Sequence, residues 1–389
     1  MIRTVRFPAQ RIPAALLVLT ILLAIFQLFP RLAGAERISM NPDITELISF
    51  RHDTAAYIFG LDPAREYNPA GGTKTPDNNA ANWWVIDSDP KTGFRSVVKD
   101  AAMSSKYGAV TSFELNSHPY IFGLHPDVGA NIWRINDDPS TGFKLVMYKG
   151  KMASGYSHVV SFQLKGQPYI LGLHGKVGAN IWSIKEGPKG LTWTLVKYKE
   201  KMSPNYQHLK VFYMQGHPYI FGLHQDVGAN IWRIKDDPSQ GLDLVMCGAK
   251  FSHDYDFVLP FHMGDRPYLL GVVSKNYIKR AIDMLESPAT PDQLQPGGVE
   301  AIVRIADLFV EMGKGYGCIW EIKGAPNSMS IRKISKSIPI SHNYTKVTTF
   351  EQAGKAYIFG IHREKYANIW RVQDDPAQGF TLEYYGRNK

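Results

Sequence analysis

YSHVVSFQLKGQPYILGLHGKVGANIWSIKEGPKGLTWTLVKYKEKM, residues 156–202, holds four strand-like stretches separated by turn residues. HVVSFQL alternates and is β-branched, and Lys165-Gly166 closes a tight turn before PYILGLH. A loop from Gly175 to Gly178 leads into ANIWSIK, and Gly187-Pro188-Lys189-Gly190 turns the chain into LTWTLVKYK. Short strands at regular spacing with Gly/Pro punctuation are an all-β pattern. The unit recurs. A phenylalanine is followed seven residues later by a tyrosine at Phe50/Tyr57, Phe113/Tyr120, Phe162/Tyr169, Phe212/Tyr219, Phe261/Tyr268 and Phe350/Tyr357, and a tryptophan follows each pair (Trp84, Trp133, Trp182, Trp232, Trp320, Trp370). Repeats of about 40–50 residues carrying four strands are propeller blades. The expected fold is an all-β six-bladed β-propeller with four-stranded blades over residues 44–389.

The tyrosines lie 49, 50 and 49 residues apart through the middle of the chain, but 63 apart at the start and 89 at the end. Both excesses fall between the second-strand glycine and the third-strand tryptophan. They define insertions at 62–80 and 275–313. The first is polar and Gly/Pro-rich, and reads as an irregular loop. In the second, Val299, Ile302, Val303, Ala306, Phe309 and Val310 follow helical spacing, which predicts a small helical insertion in blade five, as a cap or a docking element.

Strand direction sorts the loops. The second-to-third loops, both insertions and the blade-to-blade connections share one rim, and the Asp-Asp-Pro turns at 137–139, 236–238 and 374–376 lie on the other. The recurrent Phe and Trp read as packing. The Asp-Asp-Pro turns read as aspartates bonding their own backbone, since calcium asks for more oxygens than two carboxylates supply.

The motif GLHxxxGAN is the sharpest polar signal. It gives the pairs His125/Asn131, His174/Asn180, His224/Asn230 and His362/Asn368 on the insertion rim, near Tyr156, Tyr206 and Tyr344. Each pair can meet across a short loop, either to hydrogen-bond the loop or to present one polar pocket per blade. A His, an Asn, a Tyr and a Trp edge suit the hydroxyls and weakly apolar face of a sugar. One pair per blade cannot supply several ligands to one metal, so neither metal nor cofactor is expected. Repeat one has Asp62 at the histidine position, and repeat five has Val273 and Cys318, so the expected sites fall in repeats two, three, four and six.

The formal charge is +9, but Arg3, Arg6, Arg11 and Arg31 lie in an acid-free start, so the repeats are only mildly basic. Without long Lys/Arg runs, nucleic acid is not an expected partner. Residues 1–35 read as a signal peptide or a membrane anchor. A basic start precedes the uncharged stretch 12–30, and Ala33-Gly34-Ala35 has the form that signal peptidase accepts. The expected location is exported, secreted or periplasmic, or anchored facing outward through residues 12–30 if uncleaved. Export permits a Cys247–Cys318 disulfide; two buried thiols are the alternative.

The blade length, strand order and residue types of GYSHVVSFQLKGQPYILGLH resemble the tachylectin-2-like and fucose-lectin-like propellers, in which short aromatic-rich blades each contribute a sugar site. The resemblance covers residues 44–389 at the level of architecture, while the histidine and GANIW segments are this chain's own. It implies multivalent, lectin-like glycan binding. The alternatives are a propeller that binds an exported protein partner through its helical insertion, and a channel-centred hydrolase. Against the hydrolase, the sequence lacks the sialidase box, the Gly-x-Ser-x-Gly elbow and His-Glu-x-x-His.

Overall fold

A computed structural model of the chain describes residues 40–63, 80–188, 190–274, 315–325, 328–341 and 343–386. The leader-like residues 1–35, nearly all of the 62–80 insertion and the whole 275–313 insertion lie outside the described residues, so the expected helical insertion is not among the elements below. The elements are 25 strands and short 3-10 turns.

They form six antiparallel sheets in sequence order. Blade one is β1 (Glu46–His52), β2 (Ala55–Leu61), β3 (Ala81–Ile86) and β4 (Phe94–Ala101). Blade two is β5 (Ala109–Leu115), β6 (His118–His125), β7 (Gly129–Ile135) and β8 (Phe143–Gly150). Blade three is β9 (Tyr156–Leu164), β10 (Gln167–His174), β11 (Gly178–Gly187) and β12 (Gly190–Glu200). Blade four is β13 (Tyr206–Met214), β14 (His217–His224), β15 (Gly228–Ile234) and β16 (Leu242–Ala249). Blade five is β17 (Phe257–Met263), β18 (Arg266–Val273), β19 (Gly315–Ala325) and β20 (Ser328–Lys333), with β21 (Ile338–Ile340) returning to β19. Blade six is β22 (Tyr344–Gln352), β23 (Lys355–His362), β24 (Tyr366–Val372) and β25 (Phe380–Tyr385).

The repeated Phe/Tyr pair is a cross-strand contact between first and second strands. Phe162 sits directly opposite Tyr169, and their rings stack with centroids 5.1 Å apart. The other five pairs stack in the same way, at 5.0–5.4 Å. Such pairs are the unit that fixes strand register. The first hairpin turns of blades two, three, four and six place two residues in the left-handed region, as at Lys165 (φ 52°) and Gly166 (φ 76°). That is the turn geometry matching the twist of a two-residue hairpin.

Apolar packing lies between blades. Each hydrophobic cluster draws on two neighbouring blades, and together the clusters cover all six junctions, including blade six against blade one. The ring therefore closes although no blade mixes strands from the two ends of the chain.

Two series of hydrogen bonds around the channel support that closure. Hydroxyls on the innermost strands donate backward to the preceding blade: Ser161 Oγ to Ser112 O (2.6 Å), Ser112 Oγ to Ser49 O (2.9 Å), Ser49 Oγ to Thr349 O (2.7 Å) and Thr349 Oγ1 to Pro260 O (2.8 Å). Nearer the start of the innermost strands of blades three, four and six, other side chains donate forward. His158 Nε2 reaches Gln207 O at 3.3 Å, His208 Nε2 reaches Tyr255 O at 2.9 Å, and Lys346 Nζ reaches Thr45 O.

This second series makes stability depend on pH. Burial holds His208 at about 4, below its usual 6.5. The unfolded chain therefore takes up the proton first, and stability falls as pH drops from 6.5 towards 4. Glu46, raised by burial from 4.5 to about 7, gives the opposite slope over that range. Comparison with His208→Gln, which keeps the donor and removes the titration, isolates the histidine. Between roughly pH 7 and pH 4, wild type should lose on the order of 2 kcal/mol more than the variant in urea titrations.

Candidate functional site

The connection into each of blades two to six ends in a tyrosine: Tyr107, Tyr156, Tyr206, Tyr255 and Tyr344. Its ring lies on the second-strand glycine, where an added Cβ would come within 2.5–2.7 Å of the ring (Gly123, Gly172, Gly222, Gly271, Gly360). Blade one has Ile44 in this place, 3.1 Å from a Cβ on Gly60.

The predicted histidines and asparagines meet this tyrosine rather than each other. The asparagine amide donates to the phenol oxygen: Asn180 to Tyr156 at 2.6 Å, Asn230 to Tyr206 at 2.9 Å, Asn368 to Tyr344 at 3.0 Å, and Asn131 to Tyr107. The asparagine carbonyl accepts from the fourth strand: Asn131 from Lys149 N, Asn180 from Lys199 N (both 2.8 Å) and Asn230 from Gly248 N (2.9 Å). Those donors stand at positive φ (59°, 57° and 69°), which turns each N–H towards its asparagine. The indoles of Trp232 and Trp370 also donate to the phenols of Tyr206 and Tyr344, at 3.1 and 2.7 Å.

The imidazoles stand edge-on to the same tyrosines: His125 to Tyr107, His174 to Tyr156, His224 to Tyr206 and His362 to Tyr344, with centroids 5.0–6.1 Å apart. Each Nδ1 accepts from the backbone two residues on, at 3.1–3.2 Å, so the neutral ring carries its proton on Nε2. His224 Nε2 meets Ser203 Oγ of its own entering connection at 2.8 Å. In blade one, Asp62 holds Asn41 of the corresponding connection at 2.5 Å. The predicted His, Asn and Tyr are thus brought together as a mostly buried tether between connection, second, third and fourth strands. Burial raises the phenols of Tyr107, Tyr156 and Tyr206, and pushes Tyr344 up to about 12, so all stay protonated at neutral pH.

What reaches solvent on this rim escaped the sequence reading. Tyr148 and Tyr198, at the outer ends of β8 and β12, are 58% and 56% exposed. Lys149 and Lys199 lie over them, with Nζ 5.0 and 5.1 Å from the ring centroids. The signal was present as the paired segments Tyr148-Lys149 and Tyr198-Lys199.

The second missed feature is a cleft of about 530 Å³ between blades four and five. Trp320, Tyr316 and Phe251 supply aromatic surface, and Ser252, His253 and Lys333 polar groups. Phe251 packs on Trp320 at 4.5 Å, and Trp320 Nε1 donates to Tyr255 OH at 3.0 Å. His253 Nε2 donates to His224 O at 3.0 Å, which leaves Nδ1 as an acceptor.

The opening arises where blade five departs from the repeat. Tyr316 pairs with Val273, the register at which His174 pairs with Gly178. The outer chain itself keeps the common register: it passes from Lys333 opposite Trp320 to Ile338 opposite Gly317, the same five-residue step that blade four takes from Leu244 to Ala249. A site was not expected in this blade, but the cleft lies at its edge. The two cysteines are unpaired: Cys318 is buried, and Cys247 is exposed on the outer strand of blade four. On the opposite rim, Asp138 Oδ1 accepts from Ser140 N at 2.9 Å, and its equivalents do likewise, as the Asp-Asp-Pro reading expects.

No protein-family model matches the chain, and no curated protein matches it in sequence. Among solved structures it is similar to the Aleuria aurantia lectin in complex with Fucα1-6GlcNAc: 9% identity and TM-score 0.50, covering 90% of this chain and 96% of that one. It is similar also to the SapL1 lectin in complex with α-methyl fucoside: 6% identity and TM-score 0.52, covering 88% of this chain and 96% of that one. The chain thus has the lectin-like β-propeller fold.

Proposed function

We propose that the protein is an exported carbohydrate-binding propeller. The observation that carries this reading is the cleft between blades four and five, where an aromatic face adjoins hydroxyl, imidazole and ammonium groups. Volume and lining match a small-molecule site, and the pairing of flat apolar surface with convergent polar groups suits a pyranose. The similar lectin propellers were solved with fucose-containing ligands, which supports the same ligand class here. Fold alone would not.

In this reading the His/Asn/Tyr groups of blades two, three, four and six act behind the contact surface. They hold the rim from which Tyr148 and Tyr198 project, and binding is multivalent. Titration of the purified protein with saccharides found on a glycan array tests this. Tyr316→Ala should weaken binding at the cleft roughly tenfold. Tyr148→Ala should lower the number of sites without changing that affinity. Absence of binding to every saccharide would overturn the reading. Export is tested by sequencing the amino terminus of the protein recovered from outside the cytoplasm, with Glu36 expected first.

A further inference from the structure

The cleft has more positive charge around it than the described residues neutralise. Lys250 and Lys333 both line it, and the carboxylate at its edge is Asp226. Several basic groups of blades three, four and five are paired: Lys323 and Arg332 with Glu321 (3.0 and 3.2 Å), Lys235 with Asp243 (3.3 Å) and Lys197 with Glu200 (3.4 Å). Among the described residues, neither Lys250 nor Lys333 forms an ion pair. The Tyr148/Lys149 and Tyr198/Lys199 pairs repeat this combination on the same rim, an exposed aromatic face beside a lysine with no ion pair among the described residues.

An ammonium group in water loses little by having no partner. Beside the Trp320 and Tyr316 rings the effective dielectric is lower, so a charge-assisted hydrogen bond to an incoming anion is strengthened. A sugar that carries its own anion uses every group in the cleft: the ring face on the aromatics, the hydroxyls on Ser252 and His253 Nδ1, and the anion on the two lysines.

We propose that the saccharide bound in this cleft is acidic, bearing a carboxylate or a sulfate ester that Lys250 and Lys333 recognise. The inference rests on the carbohydrate reading and narrows its ligand class.

The test is titration calorimetry on the full protein with three probes: a galacturonic acid oligomer, a sulfated galactose oligomer and the neutral galactose oligomer. At least one charged probe should bind roughly tenfold or more tightly than the neutral one. Its affinity should fall as sodium chloride is raised. Which charged probe binds separates carboxylate from sulfate. The double variant Lys250→Gln/Lys333→Gln should abolish the preference, so that charged and neutral probes bind alike, and Lys165→Gln on the opposite rim should change nothing. Both lysines are exposed, so the double variant should fold.

Equal or tighter binding of the neutral probe, or a preference that survives the double variant, overturns the proposal and leaves the carbohydrate reading standing. Failure of every probe, together with silence on a broad glycan array, overturns both.

Discussion

Gly178→Ala should cost the propeller about 3 kcal/mol or more, seen as a lower urea midpoint at unchanged slope. Two independent costs fall on this position. Its backbone lies at φ +85°, which an L side chain adopts only with strain of roughly 1–2 kcal/mol. An added Cβ would stand 2.3 Å from the carbonyl oxygen of Glu200. That oxygen belongs to the backbone of β12, so it cannot move aside as a side chain could. Relief requires the second-to-third turn to part from the outer strand, and the strand leads directly into the connection to blade four. Gly166→Ala supplies the contrast: its φ of +76° carries the same strain, but no atom lies within 4 Å of the new Cβ. It should lose only the conformational part. Equal losses in the two variants would show that the close approach to Glu200 has no weight.

The fold was legible because the ring imposes the same demand at every blade. A stacked Phe/Tyr pair sets each first hairpin, and a glycine lies under each connecting tyrosine. Those requirements leave identical letters at identical spacing. The rims were legible too, since strand direction alone decides which loops share an end.

The candidate site was legible only in part. The histidines and asparagines stand out by repetition, but repetition does not reveal their partner. That partner is a tyrosine 24 residues earlier in sequence, at the start of the first strand of the same blade. An interaction of that span is set by how the connection folds onto the second strand. The cleft was hidden for the opposite reason. It lies where Val273, Tyr316 and Cys318 depart from the repeat. Departures of this kind read as the loss of a site when each blade is judged alone. The volume between two blades becomes visible only once both are placed.

Asn230→Ala should cost about 3 kcal/mol, for a reason that separates tethering from ligand contact. The buried amide links Tyr206 OH and Gly248 N, each at 2.9 Å. Truncation leaves the Gly248 N–H without its acceptor and removes one of two donors to the phenol, the other being Trp232 Nε1 at 3.1 Å. Unsatisfied buried groups cost about 1–3 kcal/mol each, and the methyl group left behind adds a small cavity. Gly248 lines the cleft, so the loss should be felt there as well. Saccharide affinity in the folded fraction should fall severalfold, with faster amide exchange at Gly248 and Ala249. Tyr206→Phe gives the control, because it removes the phenol and keeps the asparagine carbonyl on Gly248. If the asparagine acts through the fourth strand, Tyr206→Phe should preserve binding while losing part of the stability. If Asn230→Ala abolishes binding with no change in stability or exchange, the amide touches the sugar itself, and the tether is not its role.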